Sequence, residues 1–131
     1  MYRDITIRVN AVQPGTQLLL KVSASTSCYV YIINIGSSGN VTTLIPNDYD
    51  KNNYLQEGQD LQFPSPKSGY DFELNEICGK ETMVVLAYNE RLGNAEQAKS
   101  DYANLNRKER DINVKRHSSL LKILEIHFTV S

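Results

Sequence analysis

The chain has 131 residues, 40% of them hydrophobic and 22% charged, with a net charge of −1 at pH 7. That length fits one domain at ~150 residues per domain, and its 35 Leu, Ile, Val and Phe residues lift it above the ~20% below which chains stay disordered. The near-neutral balance excludes a global basic field for nucleic acid or acidic membranes, and apolar stretches such as Leu18–Leu20 and Tyr29–Ile35 fall far short of the ~20 residues of a membrane span.

From the N-terminus, Ile5, Ile7 and Val9 alternate with Thr6 and Arg8, the period of a half-buried strand. Gln13-Pro14-Gly15 is a turn, with Pro presetting φ and Gly supplying a positive one. Leu18, Leu20 and Val22 alternate again, and Ser25-Thr26-Ser27 leads into the strongest segment. There, Tyr29, Tyr31, Ile33 and Ile35 point one way, and Cys28, Val30 and Ile32 the other. A strand apolar on both faces is central and covered on both sides. Gly36 to Asn40 supplies a hairpin turn and Val41 to Ile45 runs back. Pro46 ends that strand or sits at an edge, because it cannot donate to a ladder.

Asn47 to Gly58 is a polar loop with Tyr54 and Leu55 as anchors. Leu61-Gln62-Phe63 is a short strand before Pro64, Tyr70 to Leu74 alternates cleanly, and Thr82 to Tyr88 is a second strand apolar on both faces. Asn94 and Gln97 have the spacing of a capping box. Ala95, Ala98, Tyr102 and Leu105 recur at helical spacing, which predicts a short amphipathic helix over 95–105. Leu124, Ile126, Phe128 and Val130 alternate in a closing strand with one wet face. Short strands at regular spacing predict an all-β fold, an antiparallel β-sandwich with one short helix inserted before the last strand. A single domain over residues 1–131 is expected, with 89–119 as a helix-containing polar excursion.

The central hairpin carries a resemblance. Tyr29 to Ile35, the turn through Gly39, Val41 and Leu44-Ile45-Pro46-Asn47 come first. Gly58, Leu61-Gln62-Phe63-Pro64, and Gly79-Lys80-Glu81 entering Met83 to Ala87 follow. Together they resemble a bacterial family catalogued only as a domain of unknown function, over about residues 28–88. The resemblance implies a β-sandwich module that serves as an accessory domain beside caspase-like peptidases or protein kinases, or in exported proteins. It implies no catalytic residue, and the polar 89–119 stretch departs from its pattern.

Chemistry-bearing residues are sparse. Cys28 and Cys78 allow at most one bridge and lack metal-ligand spacing; read from the residues alone, they are two buried thiols, with a disulfide between them as the alternative. Cys28 lies inside a two-faced apolar strand and so does not suit a protease nucleophile beside His117 or His127. No enzyme is expected. Glu125 and His127 share a strand face, where an exposed ion pair is commoner than an acid–base pair or half a metal site.

Asp48, Asp50 and Asn52 match the first three ligand positions of a calcium loop, but Asn53 and Gln59 stand where Gly and a bidentate Glu are needed. No metal site and no cofactor is therefore expected, with those three as weak candidates only. The basic cluster of Arg107, Lys108, Arg110, Lys115 and Arg116 has no aromatic interleaving to stack bases, so no nucleic-acid partner is expected.

Tyrosine is the odd note, at 8 against 3 Phe and no Trp. Tyr29 and Tyr31 belong to the expected core, whereas Tyr49, Tyr54 and Tyr102 are surface candidates of the kind protein and sugar contacts use. The expected function is a non-catalytic accessory or protein-interaction module of a larger bacterial protein. Tyr102, Arg107, Lys108, Arg110, Tyr49 and Tyr54 would meet a protein partner or a neighbouring domain. The alternative is a carbohydrate- or small-ligand-binding sandwich with a weak calcium site. Met1 is followed by no basic-then-apolar leader, so no signal peptide is expected, and bacterial cytoplasm and cell envelope both stay open.

Overall fold

The computed structural model of the chain describes residues 6–12, 19–36, 39–47, 51–63, 79–107 and 119–130. Those residues form, in chain order, β1 (Ile7–Val12), β2 (Leu19–Ala24), β3 (Cys28–Ile35), β4 (Val41–Ile45), β5 (Tyr54–Leu55), β6 (Asp60–Phe63), β7 (Gly79–Tyr88), α1 (Glu96–Arg107) and β8 (Leu120–Val130). Two antiparallel sheets result. The small one has the order β1-β2-β6, and the large one β4-β3-β7-β8. One edge of β3 meets β7 along its length, and the other is shared between β5 at Cys28 and Tyr29 and β4 from Ile32 to Ile35.

The two-faced reading of β3 and β7 holds residue by residue. Cys28, Val30 and Ile32 of β3 and Met83, Val85 and Ala87 of β7 pack with Leu20, Val22 and Phe63 of the small sheet. That is the core between the sheets. Tyr31 and Ile33 of β3 and Val84, Leu86 and Tyr88 of β7 face the other way, into a second core with Leu92, Ala98 and Leu120. The molecule is therefore a sandwich with a third layer, because α1 closes the outer face of the large sheet.

Local signals set the boundaries. β4 stops at Ile45, and the Ile45–Pro46 bond is cis. The β3–β4 turn uses Gly39 at φ 91°, donating its N–H to the Gly36 carbonyl at 2.9 Å, a conformation in which a Cβ would be strained. Asn94 caps α1, its Oδ1 accepting the Gln97 N–H at 3.3 Å. The helix begins one residue later and ends two residues later than its spacing predicts.

Tyr54 and Leu55, expected as loop anchors, form a two-residue strand on β3, with Leu55 buried. The predicted strand over 70–74 and Cys78 lie outside the described residues. Among the described residues no helix is long and apolar enough to cross a membrane.

Candidate functional site

All five described tyrosines gather on the helix-side face of the large sheet. Tyr29 and Tyr31 alternate on β3 toward that face, and the register sets Tyr88 of β7 and Tyr54 of β5 on either side of Tyr29. Tyr102 follows Ala98 by four residues on α1 and packs against the same core, as the helical period requires.

The inner members are fixed by polar contacts. Tyr31 and Tyr88 meet edge to face at 5.3 Å. The Leu92 N–H donates to Tyr31 Oη at 2.9 Å. Tyr88 Oη donates to Asp101 Oδ2 at 2.6 Å, and Gln97 Nε2 donates to Asp101 Oδ1 at 2.9 Å. Asp101 is fully buried. Burial, then the hydrogen bond to Asp101, pushes the Tyr88 phenol well above its ordinary range, so it remains a donor to that carboxylate. A buried carboxylate needs such partners, and here they fasten α1 to the sheet.

The outer members form an exposed margin along β4 and β5. Tyr54 packs against Tyr29 with the rings tilted 54° and their centroids 5.0 Å apart, and Arg91 Cζ stands 5.6 Å from the Tyr29 centroid, within cation–π range. The large hydrophobic side chains exposed among the described residues are Tyr54 and Val41, each at 43%. Both belong to this margin, since Tyr54 pairs with Tyr29 and Val41 with Ile35. Tyr29 and Ile35 are half-buried beneath them. Tyr29 and Ile35 stand about 20 Å apart along β3, at ~3.3 Å per strand residue, with Tyr31 and Ile33 buried between them. Aromatic and guanidinium groups around partly covered apolar side chains are the chemistry of protein-binding hot spots.

The sequence candidates fall in different places. Tyr54 is in the margin. Tyr102 is half-buried against the second core, facing the sheet. Arg107 is the last residue of α1. Lys108, Arg110, Tyr49, Asp48 and Asp50 lie outside the described residues, as do Cys78 and His117. Asn52 makes a local turn, its Oδ1 accepting the Tyr54 N–H at 3.2 Å.

Cys28 is a buried free thiol, pushed up to about 11 by burial, and a thiol held in that form is a poor nucleophile. Glu125 and His127 form the exposed pair, at 3.4 Å, with Thr82 Oγ1 3.1 Å from His127 Nδ1. Among the described residues no three His, Cys, Asp or Glu side chains group as metal ligands.

Arg91, Val41 and the outward part of Tyr29 were not legible as site residues. Strand pairing sets Tyr29 beside Tyr54 and Val41 beside Ile35, and Arg91 follows β7 without any local motif.

Residues 11–91, more than half of the chain, match the family model described as a domain of unknown function, DUF4384. No curated protein matches the chain.

Proposed function

This chain belongs to the DUF4384 family, and from the surface it presents we propose that it is a non-catalytic protein-interaction module, an accessory domain of a larger bacterial polypeptide. The observation that carries this reading is the Tyr54–Tyr29–Arg91 cluster at one end of β3, with Val41 exposed at the other. It offers exposed apolar area, an aromatic pair and a guanidinium beside it. The nucleophile and carboxylate positions support the non-catalytic half of the reading. The Cys28 thiol is buried and held protonated, and Asp101 is engaged in anchoring α1.

The test is capture of partners from a source lysate by the wild-type domain and by a Val41→Thr, Tyr54→Ser, Arg91→Ala variant, with Lys21→Ala on the small sheet as control. Loss of the same partner in the triple variant alone is the expected result. Undiminished capture by the triple variant contradicts the reading. Glycan-array binding that disappears in that variant would assign the margin to sugars instead.

A further inference from the structure

The small sheet carries a second polar site, on the face turned away from the large sheet. Leu20, Val22 and Phe63 point inward, so period-two alternation sends Arg8, Ser23 and Asp60 outward. The register lines these three up in one row, Arg8 opposite Ser23 and Ser23 opposite Asp60. They line a depression of about 440 Å³ together with Thr6, Ser25 and Gly58. That volume lies within the range of small-molecule sites.

Its margin is held by hydrogen bonds from backbone N–H groups. The Thr6 N–H donates to Ser25 Oγ at 2.8 Å, and the Ser25 N–H returns to the Thr6 carbonyl at 2.9 Å. Gly58 turns the chain at φ 83°, and nothing lies within 4 Å of where its Cβ would be. The adjoining Glu57 N–H is tied to Ser27 Oγ at 2.9 Å.

The charges make the site specific. Arg8 and Asp60 are both exposed, and among the described residues neither joins an ion pair. They sit one strand either side of Ser23, two strand spacings apart, or about 9.5 Å between backbones. A guanidinium at one end is a bidentate carboxylate receptor. A carboxylate at the other receives an ammonium, and the Ser23 hydroxyl between them can donate and accept. Two residues of extended chain span about 7 Å, shorter than this backbone separation, so both termini fall between the two strands that carry Arg8 and Asp60.

We propose that this depression binds a short zwitterionic peptide of dipeptide length, its C-terminal carboxylate on Arg8, its N-terminal ammonium on Asp60 and its peptide group over Ser23.

The experiment uses the full 131-residue chain and alanyl-alanine as probe, followed by amide NMR shifts. Saturable shifts are expected at Arg8, Ser23, Ser25 and Asp60. Arg8→Gln or Asp60→Asn should each weaken binding about tenfold, the scale of one lost charge-assisted hydrogen bond. N-acetylation should weaken binding to the wild type and leave binding to Asp60→Asn unchanged, and C-terminal amidation should behave likewise toward Arg8→Gln. Both side chains are exposed, so both variants should melt as the wild type does. Absence of saturable shifts at these amides overturns the proposal. So does equal binding by acetate alone, or by the doubly blocked peptide.

Discussion

Two buried side chains show what single residues contribute. Cys28 is raised from the ordinary thiol value of 9.0 to about 11 by burial. The native state therefore holds the protonated form more tightly than the unfolded chain does. That stability is complete below about pH 9 and is lost as the pH rises toward 11, because the unfolded chain releases its proton first. Denaturation followed across this window should show a decline that is shallower in Cys28→Ala than in the wild type; identical slopes would place the thiol in water.

Tyr88 gives the second case. Replacing it by Phe removes the donor 2.6 Å from Asp101, one partner of a carboxylate out of contact with water. A loss of about 1–3 kcal/mol is expected, read by urea denaturation. A neutral effect would mean that this hydrogen bond does not fasten the helix. Neither the burial of Asp101 nor its partner was legible in the sequence. An acidic residue on a weakly apolar helix reads as solvated, and its partner sits on a strand 13 positions earlier.

At the level of elements, the sequence carried most where period and burial coincide. β3 and β7 are each apolar on both faces, and each is covered on both faces, by the small sheet and by α1. Val30 and Val84 sample the two cores separately, and both are fully buried. An Asp at either position puts an unpaired charge where no water reaches it. Both variants should fail to fold cooperatively in thermal melts. A wild-type-like melt for Val84→Asp would show that α1 does not seal the outer face.

β5 was not legible as a strand, since two residues carry no period and only the pairing with Cys28 and Tyr29 defines it. The cap of α1 was legible because Asn94 and Gln97 act within four residues of each other. Long-range placement is what the local pattern lacks.

Over the whole molecule, the layering accounts for the surface. The helix lies over the centre of the large sheet, where Ile33, Val84, Leu86 and Leu120 are buried, and the β4–β5 side remains exposed at Val41 and Tyr54. The surplus of tyrosine in the composition thus divides by depth. Tyr31 and Tyr88 are inside with their hydroxyls bonded, and Tyr29 and Tyr54 are at the rim beside Arg91. The tyrosines that the sequence offered for contact divide in the same way, with Tyr54 exposed at the rim and Tyr49 outside the described residues. Tyr102 is half-buried against the second core.

The most direct measurement is site-specific photo-crosslinking in source lysate, with the reactive group placed at Val41 or Tyr54 on the margin, or at Lys21 or Gln62 on the small sheet. These positions are exposed, so the group can be introduced without disturbing either core. The account predicts one shared adduct from positions 41 and 54 and none of that mass from 21 or 62. Adducts confined to 21 and 62, or no adduct from 41 and 54, would contradict it.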